Sequence, residues 1–332
     1  MSVLTGAAHI EPSGFQAEVS TTRSPRVSVI VPCYNTSRFV ADTLKSVFAQ
    51  TYKDFEVVIV NDGSPDTPQL EQAIAPWRDQ LVYVHTENCG LAGARNNGIR
   101  AARGEMVALL DSDDMWELNY LEVQVRKLDE DPSADIVYPS ALVFGDGPGT
   151  SVFQKSEGEV TFTSLVRLSC VVMVSVLARR DALLRAGLFD DRLRSCEDFD
   201  MWLRCVKNGS RIIYHDEILV RYRRRPDSLS ADAVWMSTNA LRVLVKMREA
   251  VPLSEDERQE LEKAILFFEG RRFFYEGKRA FTSGDIPLAI ERLEKSNNYL
   301  RSPRVWMILL LIRTVPSIAR TTYLWRTRLI GG

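Results

Sequence analysis

The feature that most constrains the fold is a repeated alternation of short apolar runs with segments of helical periodicity, beginning at Arg26. The runs are apolar at consecutive positions, which is typical of strands buried on both faces. A repeated strand–helix–strand order favours right-handed crossovers and a parallel, doubly wound α/β sheet. The predicted strands are VSVIV (27–31), FEVVIV (55–60), LVYVH (81–85) and MVALL (106–110).

Polar residues follow each predicted strand. Ligands of open α/β sheets bind beyond the carboxyl ends of the strands, so these polar segments are expected to converge on one cleft. Taken singly, residues such as Pro32, Gly63 and Asn61 are explained by turn formation. Together with the nearby carboxylates they favour a binding site. The segments are PCYN (32–35), NDGSPD (61–66), ENCGLAGARN (87–96) and DSDD (111–114).

The segment LLDSDD concentrates negative charge at one strand end, where repulsion between Asp111, Asp113 and Asp114 opposes folding. Carboxylates spaced D-x-D suit a hard divalent ion such as Mg²⁺, which completes its coordination with water and phosphate oxygens. We expect Asp113 to bind the metal and Asp111 to lie beside it, nearer to the nucleotide. Asp114 is either an acid behind these ligands or the N-cap of a helix that begins at Trp116.

In order and spacing, these motifs resemble the family 2 glycosyltransferases of the GT-A fold, over about residues 26–225. The resemblance implies a GT-A sheet with a helical C-terminal extension. It also implies inverting transfer of a sugar from a nucleoside diphosphate sugar, with a UDP-sugar favoured, to a saccharide or lipid-linked acceptor in surface polysaccharide or glycan assembly. The segments that carry it are VSVIVPCYN, VNDGSPD, ENCGLAGARNNGIRAARGE, LLDSDD and CEDFDMWLR.

The resemblance assigns roles to residues of the donor side. It implies that Pro32, Tyr34 and Asn35 line the nucleotide pocket. Asp62 would accept a hydrogen bond from the base, and Arg95 would lie near the diphosphate or the ribose. The two D-x-D acids, Asp111 and Asp113, would hold Mg²⁺ or Mn²⁺ against the diphosphate.

A second acidic group, EDFD, contributes Glu197, Asp198 and Asp200 at the start of a predicted helix. By the resemblance, Asp198 is the base that takes the proton of the acceptor hydroxyl, and Glu197 holds acceptor or sugar hydroxyls. A base must come within about 2.6–3.2 Å of the group it deprotonates, or act through one water. The alternative is a set of acids that stabilises the helix dipole. Trp202 either stacks on the acceptor sugar or belongs to the core.

The basic segment RYRRRPDSLS (221–230) resembles the flexible segment that closes over the diphosphate in this family. Many relatives carry a histidine where Arg225 stands, so metal ligation at this position is in doubt. Arg223, Arg224 or Arg225 would instead bind phosphate oxygens with a bidentate guanidinium, assisted by serines of the same segment. The alternative is a solvated basic loop.

Beyond residue 231 helical periodicity replaces the strands. The predicted organisation is a disordered lead-in over 1–25, a catalytic domain over 26–230 and a helical region over 231–332. Residues 273–303 predict two helices joined by a Gly-Asp turn, similar to a single tetratricopeptide hairpin. From Arg301 onward the chain has arginines but no acid, which suits an amphipathic helix on an anionic membrane. A helical cap with a basic exterior is the alternative.

Charge and cysteine content exclude some classes. A net charge of -2 argues against a nucleic-acid binder. Five cysteines without paired spacing predict reduced thiols, and no secretory signal pattern is found at the start. We therefore expect a cytoplasmic protein, peripheral on the inner face of the plasma membrane if its tail docks there.

Two other functional classes remain open. A nucleotidyltransferase would also place carboxylates and a metal at sheet ends, but it should have a glycine-rich basic loop after its first strand, and PCYNTSRF is not one. A non-catalytic scaffold that binds nucleotide sugars would tolerate loss of Asp113 and Asp198. Neither the donor sugar nor the oligomeric state follows from the sequence.

Overall fold

The computed structural model of the protein describes residues 24–146, 149–153, 156, 158–321 and 323. The expected lead-in lies outside this range except for residues 24 and 25. The strands are β1 (Val27–Cys33), β2 (Phe55–Asp62), β3 (Leu81–Thr86), β4 (Met106–Leu109), β5 (Met115–Trp116), β6 (Ile136–Gly145), β7 (Ser151–Phe153), β8 (Leu177–Arg179) and β9 (Ile212–Arg224).

Helices alternate with the strands from β1 to β4, the order is irregular from β5 to β9, and α-helices predominate in the described chain after β9. Short 3-10 helices lie at Ala75–Gln80 and Leu229–Ala231. The α-helices are α1 (Ser37–Phe48), α2 (Thr67–Ile74), α3 (Gly90–Ala101), α4 (Tyr120–Glu130), α5 (Phe162–Val166), α6 (Arg180–Arg185), α7 (Glu197–Lys207), α8 (Ala233–Ala250), α9 (Glu255–Ser283), α10 (Ile286–Leu300) and α11 (Pro303–Thr314).

The strands of the described ranges form one nine-stranded sheet. β3, β2, β1 and β4 lie side by side and parallel. The order continues through β8, β6 and β9 to β5, mostly by antiparallel pairing, with β6 and β9 parallel and β7 beside β6. The predicted α/β fold with a helical C-terminal region is therefore confirmed, and the sheet is parallel where the predicted strands lie and mixed beyond β4.

Helices on both faces explain the consecutive apolar residues of the central strands. Ile30 faces a core shared with α3, α7 and α8, whereas Val29 and Val31 face a second core shared with α1, α2 and α4. β3 differs, because it is an edge strand and most of its side chains keep some exposure. The prediction that this run is buried on both faces is therefore wrong.

Strand register brings the polar segments to one edge of the sheet. Cys33, the last residue of β1, pairs with Asn61, and Ile30 pairs with Leu109 near the end of β4. The loop after β2 requires glycine at position 63, where φ is +58° and a Cβ would lie 2.7 Å from the backbone nitrogen of Asn88. The polar segments after β1, β2 and β4 therefore lie next to one another.

α9 connects the sheet domain to a smaller helical core. Its first half packs on the sheet core through Leu261 and Phe268, and its end packs on α10 and α11 through Phe281. The predicted Gly-Asp turn is present between α9 and α10, with Gly284 at φ +96°. None of the helices among the described residues combines the length and the hydropathy needed to cross a bilayer.

Candidate active site

The loops after β1 and β2 hold each other in place. The N–H of Asn35, a residue with φ of 55°, donates to Ser64 Oγ at 2.7 Å, and the N–H of Ser37 donates to Asp66 Oδ2 at 2.9 Å. Burial opposes ionisation of Asp66, but hydrogen bonds from Ser37 and Ser64 lower its pKa. Ser64 and Asp66 could not be identified from the sequence, because their spacing in NDGSPD is also that of an ordinary turn.

The predicted nucleotide-pocket residues differ in accessibility. Pro32 is buried within β1, whereas Tyr34 is 52% exposed and Asn35 is exposed at the end of the same strand. The Asp62 carboxylate accepts the backbone N–H groups of Cys89 and Gly90 at 2.8 and 2.9 Å, at the N-terminus of α3. A nucleobase would have to share these oxygens, and that contact of Asp62 stays a prediction.

Asp114 is buried behind the strand-end loop and is not a helix N-cap. The residues after it form β5, which pairs with β9, and α4 begins only at Tyr120, so the prediction of a helix from Trp116 is wrong. The backbone N–H of Arg223 donates to Asp114 Oδ1 at 2.8 Å. Burial, together with the charges of the two neighbouring aspartates, raises the pKa of Asp114. Asp114 therefore ties β9 to the loop after β4.

Asp111 and Asp113 each pair with an arginine from another part of the chain. Asp111 Oδ1 lies 2.7 Å from Nη2 of Arg95, and Asp113 Oδ2 lies 2.9 Å from Nε of Arg225. Burial and then the charge of Asp111 raise the pKa of Asp113. Because carboxylates crowded in this way are stabilised by positive charge, a further cation beside them would be favourable.

The two D-x-D acids fit a divalent ion shared with a substrate. Among the described residues no group of three or more His, Cys, Asp and Glu side chains is arranged to hold a metal. Mg²⁺ is commonly bound through one or two carboxylates, with substrate phosphates and water as the other ligands. Asp111 and Asp113 supply oxygen ligands of that kind and number.

Arg95, on α3, joins the two acidic groups of the cleft. Its side chain is 2% exposed, with Nη2 on Asp111 and Nη1 2.5 Å from Glu197 Oε1. Burial disfavours the charged guanidinium, but the charges of Asp111 and Glu197 raise the pKa of Arg95 above its ordinary value. Since both Nη groups are engaged by the protein, the contact of Arg95 with diphosphate or ribose stays a prediction.

Asp198 lies beside Glu197 at the start of α7. The N–H of Phe199 donates to its Oδ1 at 2.7 Å, and the described ranges contain no ion pair of this carboxylate. Burial, followed by the negative charge of Glu197, raises the pKa of Asp198 to about 7, and Arg95 acts in the opposite direction. A carboxyl group with such a pKa can accept a proton near neutral pH.

The remaining residues of the EDFD helix belong to the framework. Asp200 is fully buried and lies 2.7 Å from Nη2 of Arg204 and 2.5 Å from Nζ of Lys246, which ties α7 to α8. Trp202 is buried and packs edge-on against Phe189, with ring centroids 6.3 Å apart. Of the two alternatives for Trp202, the core position is correct and stacking on an acceptor is wrong.

Basic side chains collect around the ring of Phe39 on α1. The guanidinium carbons of Arg38, Arg223 and Arg225 lie 4.6, 4.8 and 5.0 Å from its centroid. Arg38 also pairs with Asp227 at 2.6 Å. Arg38 and Phe39 could not be identified from the sequence, because both fall inside the helical pattern of α1. A cavity of about 270 Å³ is found here, lined by Arg38, Phe39, Asp146, Arg225, Pro226 and Asp227.

A larger cavity, of about 550 Å³, lies between the segment after β9 and helix α9. It shares Pro226 and Asp227 with the smaller cavity, which is itself lined by Arg225, the partner of Asp113. On the α9 side the lining includes Tyr275 and Lys278. Its volume is in the range of small-molecule sites, roughly 300–1,000 Å³.

Comparison with solved structures shows that the architecture is that of the GT-A fold. Residues 1–349 of Staphylococcus aureus TarS, solved in complex with UDP-GlcNAc, align with a TM-score of 0.60 at 22% identity over 89% of each chain. The mannosyltransferase PcManGT of Pyrobaculum calidifontis, solved with GDP-Man and Mn²⁺, aligns with a TM-score of 0.58 at 19% identity over 90% of this chain and 84% of its own. At these identities the likeness establishes the fold.

Sequence comparisons identify the family. The profile described as "Glycosyl transferase family 2" matches residues 28–187. TuaG of Bacillus subtilis strain 168, a glycosyltransferase provisionally assigned to teichuronic acid biosynthesis, is 30% identical over 214 residues, covering 64% of this chain and 84% of TuaG. This chain belongs to glycosyltransferase family 2, and the resemblance read from its motifs is confirmed. Other relatives are longer than this chain, which covers 33% of the length of one of them and 65% of the length of another.

Proposed function

We propose that this glycosyltransferase is an inverting hexosyltransferase that uses a nucleoside diphosphate sugar, with a UDP-sugar favoured. The acceptor is a saccharide or a lipid-linked glycan of surface polysaccharide assembly. The observation that carries the proposal is the Asp111–Arg95–Glu197 bridge, which joins the acids of the donor side to the helix that begins with Asp198.

The donor would bind at the ends of β1, β2 and β4. The exposure of Tyr34 and Asn35 supports a base and ribose pocket there. Asp111 and Asp113 would hold Mg²⁺ or Mn²⁺, which, when bound, neutralises the charge of the departing nucleoside diphosphate. Arg225, which pairs with Asp113, would contact oxygens of the same diphosphate. The solved complexes of TarS with UDP-GlcNAc and of PcManGT with GDP-Man and Mn²⁺ are consistent with such a donor.

The acceptor would bind from the side of α7. As the acceptor oxygen bonds to the anomeric carbon and the bond to the diphosphate oxygen breaks, Asp198 would take the hydroxyl proton. Attack from the face opposite the leaving group inverts the anomeric carbon. A pKa of about 7 supports Asp198 as this base, because about half of the carboxyl groups are ionised at neutral pH and the ionised form holds an accepted proton more strongly than an ordinary carboxylate does. Glu197 would orient hydroxyls and keep the pKa of Asp198 high.

The domain organisation and location are part of the proposal. Residues 26–230 would form the catalytic domain, and residues 231–332 a helical region that approaches a membrane. α11 buries a narrow apolar stripe and leaves Trp306, Met307, Leu310 and Leu311 48–57% exposed. Such a face without acidic residues suits the inner leaflet of the plasma membrane, where a lipid-linked acceptor would be found.

Vesicle flotation tests the membrane part. We expect the protein to float with vesicles of 30% phosphatidylglycerol in phosphatidylcholine, and Trp306→Ser/Leu310→Ser to remain at the bottom. A matched variant at another exposed apolar site, Leu118→Ser, controls for general loss of hydrophobicity. Equal flotation of all three proteins would contradict docking through α11.

Donor hydrolysis tests the activity itself. The protein would be incubated with Mn²⁺ and separately with UDP-glucose, UDP-N-acetylglucosamine, GDP-mannose and dTDP-glucose, and release of nucleoside diphosphate measured. We expect slow release from one donor and a loss of that release in Asp113→Asn. If no donor is hydrolysed and calorimetry detects no binding of UDP, GDP or dTDP with Mn²⁺, the proposed function is wrong.

A further inference from the structure

We propose that Arg225 is the resident counter-ion of Asp113, and that it competes with the divalent cation for this carboxylate until a donor diphosphate draws the guanidinium away. The metal and the donor would then bind cooperatively, each weakly without the other. This inference rests on the proposed function, because the donor diphosphate is taken as the group that receives Arg225.

Arg225 lies against one of the two carboxylate oxygens with which Asp113 would bind a metal. Its Nε lies 2.9 Å from Asp113 Oδ2, and the two side chains are only 13% and 16% exposed. An arginine carries hydrogen-bond donors only and cannot ligate a metal. A divalent ion and the guanidinium at the same oxygen would repel each other in a site with little water, so binding of one opposes binding of the other.

The Asp113 carboxylate needs a positively charged partner even when no ligand is bound. Asp111 and Asp114 are its neighbours, and the Asp113 side chain is only 16% exposed. A buried carboxylate among like charges is costly unless it is paired. Arg225 therefore stabilises the donor-free site.

The contacts that Arg225 makes with the protein are weak enough for a diphosphate to replace them. Arg225 Nε is buried, yet in the part of the chain described here it makes no hydrogen bond of good geometry, and Nη1 lies 3.5 Å from Asp227. Two parallel hydrogen bonds, as a phosphate can accept, hold a guanidinium more strongly than such contacts. The Phe39 ring, 5.0 Å from the guanidinium carbon, offers a surface along which the group can turn.

Titration with Mn²⁺ alone tests the competition, with free Mn²⁺ measured by electron paramagnetic resonance. We expect Arg225→Gln to bind Mn²⁺ about tenfold more tightly than the wild type, because a charge beside the ligand is removed. Arg221→Gln removes the same charge from an exposed position earlier on β9 and should change the affinity less than about twofold. In the double variant Arg225→Gln/Asp113→Asn the gain should disappear.

Repeating the titration with saturating UDP tests the coupling. UDP should increase the Mn²⁺ affinity of the wild type by a larger factor than that of Arg225→Gln. Equal Mn²⁺ affinity of folded wild type and folded Arg225→Gln without UDP would overturn the inference, and so would an equal effect of UDP on both. If UDP binds to neither protein, the proposed function fails, while the comparison with Mn²⁺ alone still decides the competition.

Discussion

The two acidic groups of the cleft have similar residues but different electrostatic environments. In each, one acid is part of the framework: Asp114 on the backbone of β9, and Asp200 on Lys246 of α8. In each, a second acid pairs with Arg95. The third acids differ, because Asp113 has Arg225 as a partner, whereas Asp198 has no ion pair among the described residues.

This difference teaches how one cleft can serve two chemical purposes. Arg225 opposes the rise in the pKa of Asp113 and favours the charged carboxylate, which suits a group that binds cations. Burial and the charge of Glu197 raise the pKa of Asp198 to about 7 against the opposing charge of Arg95, which suits a group that accepts a proton. Burial, the charge of a neighbouring acid and the pairing with an arginine together separate the two roles.

Replacing the base should have the largest effect. Asp198→Asn is expected to lower the transfer rate by about 10³-fold, because no base then accepts the proton of the acceptor hydroxyl. Binding of the nucleoside diphosphate, measured by calorimetry, should be retained. Asp200→Asn, from the same group, is the control: it should reduce the free energy of unfolding by about 3 kcal/mol but leave the folded enzyme active. Turnover retained in Asp198→Asn would reject the base assignment.

Removing a donor-side acid should have the next largest effect and a different signature. Asp113→Asn is expected to weaken UDP binding in the presence of Mn²⁺ by about tenfold or more, because a ligand of the ion is lost. When a chelator removes Mn²⁺, the wild type should bind UDP as weakly as the variant does. An unchanged UDP affinity of the wild type when Mn²⁺ is removed would contradict the metal role of this group.

A smaller change should move the pH profile without abolishing activity. Glu197→Gln removes the negative charge that helps to raise the pKa of Asp198, so that pKa should fall. The acidic limb of the rate profile should then shift to lower pH by about one unit. A shift in the opposite direction would show that Glu197 acts on Asp198 by some means other than its charge.

Stability should show the smallest effect, with a sign set by the raised pKa. Between about pH 4, the ordinary carboxyl pKa, and about pH 7, Asp198 holds a proton in the folded state but has lost it in the unfolded state. The stability of the wild type therefore falls as pH rises through this window. Asp198→Asn should therefore be more stable than the wild type at pH 8, and the difference should disappear near pH 4. Urea unfolding at both pH values measures it, and an equal difference at both would contradict the raised pKa.

Most of the framework of the site could be predicted from the sequence, because it depends on local patterns. The runs that became β1, β2 and β4 were identified by consecutive apolar residues, and a parallel sheet puts their carboxyl ends together whatever the side chains are. β5 was missed, because a two-residue strand depends on its distant partner, β9, rather than on its own sequence.

The choice of ion-pair partners could not be predicted, because it depends on residues far apart in the chain. Arg95 and Glu197 are separated by 102 positions, and both candidate acids and several arginines were equally available on sequence grounds. The same holds for Arg225 and Asp113. Which arginine meets which acid depends on helix packing and on how deeply each group is buried, and these fix the electrostatics of the cleft.

The protonation state of Asp198 is the most direct test of this account. The protein would be labelled with ¹³C at the aspartate side-chain carboxyls, and their NMR signals followed from pH 4 to pH 9 in the wild type and in Asp198→Asn. We predict one signal that titrates near pH 7 and is missing from the variant. If every aspartate of the wild type titrates below about pH 5, near the ordinary range, the division between a charge-holding and a proton-holding group is wrong.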